Sequence, residues 1–261
     1  MTHPSPRRTA SLHTGWTARS TSPRVPAHLA ERLAGPGVAA TVPGCLPTDR
    51  LAAGLIPDPY LDDHERLLAW IGRCDWEYAT TFAHRAEHGD ARHELAFDGL
   101  DTVATVLLNG TEVARTANQH RSYRFDVTSL LRDGANDLVV RFAAPVPYAD
   151  AQSLALGQRP QVNHHPFNAM RKMASNFGWD WGIDAATVGI WRPVRLESWH
   201  TARLGPVRVL ATADRDHGTT GRTDGDSARG HLEVRADLAA APGAPTGPAR
   251  CRSASPAGRP T

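Results

Sequence analysis

The sequence predicts an all-β protein whose main domain is an antiparallel β-sandwich. Segments in which apolar and polar residues alternate recur roughly every 10 to 15 residues, as is typical of sandwiches. The 22 glycines and 20 prolines among 261 residues provide frequent turns, and long stretches with a helical apolar period are scarce. An eight-stranded βα barrel needs about 250 residues for itself. No run of alternating strand and helix patterns appears in this sequence, so the barrel is excluded.

The overall composition excludes several classes of protein. Hydrophobic residues make up 41% of the chain, which is enough for a core and excludes global disorder. The 29 basic and 27 acidic side chains nearly balance, so neither a nucleic acid nor a membrane is expected as a partner. No apolar run is long enough for a transmembrane helix, and Arg7-Arg8 lacks the apolar segment of a secretion signal. A cytoplasmic location is predicted.

Three short helical segments are expected before the first long strand. The segment Pro26–Ala34 begins with proline and is followed by Gly35, which predicts a helix. Thr48 is expected to cap a second short turn over Asp49–Ala53, and Glu65–Ile71 to form a third.

From Trp76 onward the apolar period changes to two, which predicts half-buried strands. Asn109-Gly110 separates two of these strands and predicts a tight hairpin, because both turn positions need positive φ. The predicted strands are Trp76–Phe82, Leu95–Phe97, Val103–Leu108, Thr111–Ala114, Tyr123–Val127, Leu138–Phe142, Val194–Leu196, Val207–Ala211 and Leu232–Leu238.

The predicted strands divide the chain into five segments. Residues 1–25 are polar and are expected to be flexible, with Leu12–Trp16 as a candidate edge strand. The remaining segments are a β domain at 26–212, a linker at 213–230, the first strand of a truncated, immunoglobulin-like second β domain at 231–239 and a disordered tail at 240–261.

The segment Phe177–Gly182 contains the densest group of aromatic residues. Asp180 lies between Trp179 and Trp181, and the flanking glycines predict a loop rather than a regular strand. A carboxylate can accept hydrogen bonds from two neighbouring sugar hydroxyls, and an indole offers a flat face to a pyranose ring. The alternative is that both indoles belong to the core and that Asp180 caps a turn.

Two groups among the 13 histidines suggest a metal site, but neither group has the spacing of a metal site on a helix. His164 and His165 are adjacent in a segment ending at Pro166, while His84, His88 and His93 flank a turn and are expected to be exposed. No metal and no other cofactor is therefore expected.

Nine segments, spread in order over roughly residues 10–212, together resemble one known family. They are Val42–Gly44, Leu55–Tyr60, Asp75–Tyr78, Phe97–Thr102, Leu108–Gly110, Phe125–Thr128, Arg171-Lys172, Phe177–Gly182 and Gly189–Val194. They are similar to the N-terminal domain of β-mannosidases of glycoside hydrolase family 2. The Phe177–Gly182 segment favours mannosidases over the galactosidases and glucuronidases of that family.

The resemblance implies a jelly-roll sandwich similar to galactose-binding domains. It implies that Asp180 binds hydroxyls of a terminal mannose, that Trp181 and Trp179 line or support the pocket, and that the loop reaches into the active site of a catalytic barrel. It assigns no role to Arg171 or Lys172.

The resemblance also implies a retaining hydrolase of terminal β-D-mannosides, whose two catalytic glutamates lie in a C-terminal barrel. The chain is expected to end before that barrel, so no catalytic residue is assigned and the chain is expected to be inactive alone. The expected partners are a β-mannoside, bound weakly or not at all, and a separately encoded catalytic barrel. The alternatives are a free-standing carbohydrate-binding module and a non-functional fragment of a frameshifted gene.

Overall fold

The computed structural model describes residues 7–86, 92–213 and 230–241. The chain divides into two compact units, Met1–His200 and Thr201–Thr261. The strands are β1 (Arg7–Ser11), β2 (Thr17–Ser20), β3 (Val38–Ala39), β4 (Trp76–His84), β5 (Arg92–Phe97), β6 (Val103–Leu108), β7 (Thr111–Ala117), β8 (Tyr123–Asp126), β9 (Gly134–Phe142), β10 (Val194–Trp199), β11 (Ala202–Ala213) and β12 (Gly230–Ala240). The helices are α1 (Ala27–Ala34), α2 (Leu46–Ala52), α3 (His64–Leu68) and α4 (Pro145–Leu156), with short 3-10 turns at Ile71–Arg73, Phe167–Ala169 and Ala174–Phe177.

The first unit contains two antiparallel sheets. One has six strands in the order β3-β2-β4-β9-β6-β7, and the other has four in the order β1-β10-β5-β8. Apolar side chains of both sheets belong to one buried cluster, so the predicted all-β sandwich is confirmed. The cluster includes Trp76, Tyr78, Val106, Leu138, Val140 and Phe142 from the larger sheet and Leu95, Phe97, Val194 and Leu196 from the smaller.

The hairpin between β6 and β7 has the turn that the sequence predicts. Asn109 has φ +53° and Gly110 has φ +83°, so both residues adopt the left-handed backbone. The Asn109 side chain also donates to the Leu130 carbonyl at 2.8 Å and to Asn136 Oδ1 at 2.9 Å. The turn is thereby tied to the start of β9.

The helices agree with the sequence only in part. Helix α1 lies between Pro26 and Gly35 as predicted. Helix α2 begins before Thr48, since Pro47 occupies its first turn and the Thr48 hydroxyl donates to the Cys45 carbonyl at 2.7 Å. The sequence does not indicate α4, because its apolar residues form no stripe along one face.

The N-terminal segment differs from the expected flexible region. Strand β1 pairs with β10, and β2 pairs with β4. The segment Leu12–Trp16 is the connection between β1 and β2 and does not form a strand itself. Leu12 and Trp16 are both buried, and the Trp16 indole donates to the Leu12 carbonyl at 2.8 Å. Burial of these two side chains stabilises the connection, and residues 1–6 lie outside the described part.

The described residues of the second unit form two antiparallel strands, β11 and β12. The predicted boundary at 212 differs from the structure, because β11 pairs with β12 and not with a strand of the sandwich. Alternation alone predicts a strand but not its partner, which explains the difference. Most of the predicted linker and tail, residues 214–229 and 242–261, lies outside the described residues.

Among the described residues, the helices are all too short to cross a membrane.

Candidate functional site

The Trp179–Gly182 loop follows the 3-10 turn that ends at Phe177. Phe177 is fully buried, and Gly178 has φ +80°, so the chain turns sharply between the buried ring and the loop. The Trp179 backbone N–H donates to the Gly182 carbonyl at 3.0 Å and closes the loop.

The loop presents its side chains to solvent. Trp179 is 51% exposed and Trp181 is 77% exposed, and Asp180 between them is exposed as well. The two indoles are therefore not part of the buried core. An exposed carboxylate between two exposed indoles offers both hydrogen-bond acceptors and flat apolar faces to a ligand.

The start of the loop is anchored by Asn163. Its side-chain amide donates to the carbonyls of Phe177, at 2.5 Å, and Gly178, at 2.9 Å. The Phe177 ring packs with Val146 and Ala186 in a small second apolar cluster. These contacts fix the position from which the exposed loop begins.

Buried Lys172 connects the segments on both sides of the loop. Its ammonium group binds Asp101 Oδ1 and lies 3.0 Å from Thr187 Oγ1, while Thr187 donates to Asp101 Oδ2 at 2.6 Å. Burial lowers the pKa of Lys172, and the Asp101 carboxylate opposes that shift. Lys172, to which the resemblance assigns no role, therefore ties the segment before the loop to Asp101 and to Thr187 after the loop. Sequence alone contains no signal for this role, because Asp101 lies 71 positions away.

Two recesses lie beside the loop. The first, here called the polar recess, has a volume of about 430 Å³ and contains Trp179 and Asp180 together with Glu65, Asn163, His164 and Asp184. The second, the apolar recess, has a volume of about 410 Å³ and contains Trp181 with Tyr60, Leu68, Ile71 and Val146. The structure thus brings Asp180 and Trp179 to one recess and places Trp181 in the other.

Two imidazoles contact the carboxylate of Asp184 beside the polar recess. Nε2 of His164 lies 3.0 Å from Asp184 Oδ2, and Nε2 of His165 lies 2.9 Å from the same oxygen. The Asp184 backbone N–H donates to Glu65 Oε2 at 3.0 Å. The sequence does not indicate Asp184 or Glu65 as site residues, because neither lies in a recognisable motif and the two are far apart in the chain.

The other histidine group differs from the expectation of exposed hairpin residues. His93 is buried on β5, where its Nδ1 lies 2.8 Å from the Ser198 hydroxyl of β10, and its ring centroid is 4.9 Å from that of His84. Pairing of β5 with β10 brings Ser198 opposite His93, which explains the burial. His88 lies outside the described residues.

Comparison with known proteins relates the fold to one family. The family model described as the glycosyl hydrolase 2 galactose-binding domain-like domain matches residues 16–192. β-Mannosidase B of Thermothelomyces thermophilus is 40% identical over 168 residues, which are 62% of this chain and 19% of that protein. β-Mannosidase of Rattus norvegicus is 36% identical over 187 residues, 67% of this chain and 21% of that protein. The chain thus spans about a fifth of the length of these curated relatives.

Solved structures show the same similarity. The β-D-mannosidase of Dictyoglomus thermophilum superimposes with a TM-score of 0.72 at 29% identity, over 88% of this chain and 26% of that chain. A β-glucuronidase from an uncultured Clostridium has a TM-score of 0.54 at 18% identity over 90% of this chain and 35% of that chain, which shows a shared fold alone. Because the family model matches more than half of the chain, this protein belongs to glycoside hydrolase family 2, and its first unit is a galactose-binding-like domain similar to the corresponding part of β-mannosidases.

Proposed function

We infer that this chain supplies one wall of the sugar site of a hydrolase that removes terminal β-D-mannose residues. The exposed Asp180 carboxylate between two exposed indoles is the observation that carries the proposal. The relatives named as β-mannosidases, at 34–40% identity, support mannose as the sugar.

Each loop side chain has a distinct role in the proposal. Asp180 accepts hydrogen bonds from two neighbouring sugar hydroxyls, because an ionised carboxylate has only acceptor oxygens. Trp179 lies in the same polar recess and offers its indole face to the C–H side of the ring. Trp181 contacts the ligand or the adjoining barrel from the apolar recess.

Hydrolysis requires groups beyond these three residues. Retaining glycosidases use two carboxyl groups about 5–5.5 Å apart, and we propose that both of them lie in a catalytic barrel. Binding sites for small molecules normally enclose most of the ligand surface. One wall encloses only part of a mannose, so the 261-residue chain alone is expected to bind weakly and to show no turnover.

The same proposal extends to the second unit, which we assign as the beginning of a second β domain. Val209 lies opposite Val234 and Leu204 opposite Leu238, so apolar side chains share one face of the hairpin. These side chains are more than half exposed in the described residues. An isolated two-stranded hairpin is marginally stable in water, which favours further strands packed on this face.

Titration of the ¹⁵N-labelled chain with methyl β-D-mannoside tests the sugar proposal. We expect progressive shifts of the Trp179 and Trp181 indole N–H signals, with half-saturation in the millimolar range. Asp180→Ala should weaken binding at least about tenfold, since charged hydrogen bonds contribute about 1.5–3 kcal/mol. Asp237→Asn, which changes an exposed carboxylate in the second unit, should leave binding unchanged.

The titration also separates the alternatives. Unperturbed indole signals, or equal binding by the Asp180→Ala variant, would contradict the proposed sugar wall and favour a non-functional fragment. Micromolar or tighter binding would instead indicate a free-standing carbohydrate-binding module. Hydrolysis of an aryl β-mannoside by the purified chain would contradict the placement of the catalytic glutamates outside it.

A further inference from the structure

We propose that His164, His165 and Asp184 form a binding site for a divalent first-row transition metal ion, with Zn²⁺ as the preferred ion. Both imidazole Nε2 atoms lie within 3.0 Å of Asp184 Oδ2. The three ligand atoms all lie within 4.8 Å of one another. This inference goes beyond the sugar proposal, because it rests on different side chains and different chemistry.

The chemistry of the three ligands selects the class of ion. Two imidazole nitrogens and one carboxylate oxygen suit Zn²⁺ and its first-row neighbours, whereas Mg²⁺ and Ca²⁺ prefer oxygen ligands alone. Three protein ligands leave at least one coordination position for water or another ligand. The cluster therefore matches an open metal site and not a closed structural one.

The distances between the ligand atoms are close to those that a tetrahedral ion requires. Zn²⁺ bonds of about 2.0–2.1 Å to nitrogen and oxygen place neighbouring ligand atoms roughly 3.3 Å apart. The observed Nε2–Oδ2 distances are 3.0 Å for His164 and 2.9 Å for His165. Widening both contacts by a few tenths of an ångström needs a small shift of the Asp184 carboxyl group as well as of His164, whose side chain is 71% exposed.

The other two ligands are held in place by their surroundings. The His165 side chain is only 10% exposed; its backbone N–H donates to Asn163 Oδ1 at 3.1 Å and its ring packs 5.8 Å from the Phe177 ring. The Asp184 backbone is fixed by its hydrogen bond to Glu65. Ligands that are already positioned lose little entropy on binding, so the ion needs to order only the exposed His164.

The absence of a helical spacing in the sequence does not argue against this site. His164 and His165 are adjacent, and Asp184 lies 19 positions after His165, on the far side of the Trp179–Gly182 loop. Only the folded loop segment brings the third ligand to the two imidazoles. His164 and Asp184 also line the polar recess that contains Asp180, so the open coordination position lies beside the proposed sugar site.

Calorimetric titration of the full 261-residue chain with ZnCl₂, after treatment with a chelator, tests the site. We expect one saturable site whose affinity falls at least about tenfold in His164→Gln and in Asp184→Asn, since each removes one of three ligands. His28→Gln is the matched control, because His28 is exposed on α1 and should leave the affinity unchanged. Circular dichroism verifies that each variant is folded.

Two further measurements make the result decisive. Co²⁺ should produce visible d–d absorption bands in the parent protein and in His28→Gln, but not in His164→Gln. Zn²⁺ should raise the thermal midpoint of the parent protein, because an ion that binds only the folded state stabilises it. Equal affinity in parent, His164→Gln and Asp184→Asn, or no saturable binding at all, would overturn the proposal and leave the cluster as a hydrogen-bonded anchor. No sugar is present in these titrations, so their failure does not affect the sugar proposal.

Discussion

At the scale of single residues, the buried carboxylate of Glu197 is held by three arginines. Its carboxylate is fully buried on β10 and is contacted by Arg124 at 2.6 Å, Arg195 at 2.7 Å and Arg7 at 2.6 Å. Burial by itself raises the pKa of Glu197, but hydrogen bonds from Arg124 and Arg195 and the charge of Arg7 outweigh it and lower the pKa to about 2. These contacts join three strands of the smaller sheet, since Arg7 lies on β1, beside β10, and Arg124 lies on β8, which β5 separates from β10.

We expect Glu197 to make the free energy of unfolding of the domain depend on pH in the acidic range. Because its pKa falls from 4.5 in the unfolded chain to about 2 in the fold, its contribution is complete above about pH 4.5 and is lost as the pH falls to about 2. The shift corresponds to about 3 kcal/mol. Glu197→Gln should therefore lower the free energy of unfolding by about 3 kcal/mol at pH 7 and by much less near pH 2.5, as measured by urea denaturation.

The matched control for Glu197 is the exposed Glu112. It pairs with Arg115 at 2.9 Å on the surface of β7, where solvent screens the interaction. Glu112→Gln should leave the denaturation midpoint unchanged at both pH values. An equal loss in the two variants, or a loss in Glu197→Gln that does not depend on pH, would contradict the proposed role of the buried carboxylate.

At the scale of elements, the Phe177–Gly182 segment depends on one glycine. Gly178 has φ +80°, and a Cβ added there would lie 3.0 Å from the Asp184 Cβ. The positive φ is unfavourable for any other residue, and the close approach of Asp184 adds a steric cost.

Gly178→Ala and Gly110→Ala together separate these two costs. Gly110 has a nearly equal φ of +83°, but a Cβ there would have no neighbour within 4 Å. We expect Gly110→Ala to reduce the free energy of unfolding by about 1–2 kcal/mol from backbone strain alone, and Gly178→Ala to reduce it by more. Chemical denaturation of both variants measures the difference, and a smaller or equal loss in Gly178→Ala would show that Asp184 is not packed against the turn.

The sequence predicts a helix or a hairpin correctly where residues within that segment determine its backbone conformation. The β6–β7 hairpin followed from Asn109-Gly110, and α1 followed from Pro26 and Gly35, because turn and cap residues act on their own backbone. Helix α4 was not predictable, since its buried residues Pro145, Val146 and Ala149 pack through tertiary contacts and form no apolar stripe.

At the scale of the whole molecule, every strand of both sandwich sheets lies before residue 201. Among the described residues, side chains of the first unit form the buried cluster of the sandwich, and the two strands of the second unit pair with each other.

We expect residues 1–200 alone to unfold at nearly the same temperature as the full chain. The physical reason is that the buried apolar area, which provides most of the stability, is retained in the shorter chain. Differential scanning calorimetry of both proteins gives the comparison. A thermal midpoint lowered by more than about 5 °C, roughly 2 kcal/mol for a domain of this size, would mean that the hairpin is part of the sandwich domain.

The sequence by itself determined the β-sandwich, its tight hairpin and the position of the Asp180 loop, because alternation, turn residues and motif composition act over short distances. Only the tertiary structure decided that β11 pairs with β12 after the 200/201 boundary, which polar groups surround Glu197 and Lys172, and that Asp184 joins His164 and His165. These features depend on contacts between residues far apart in the chain, and hydrophobic periodicity carries no information about the partner of a buried charge or the register of a distant segment.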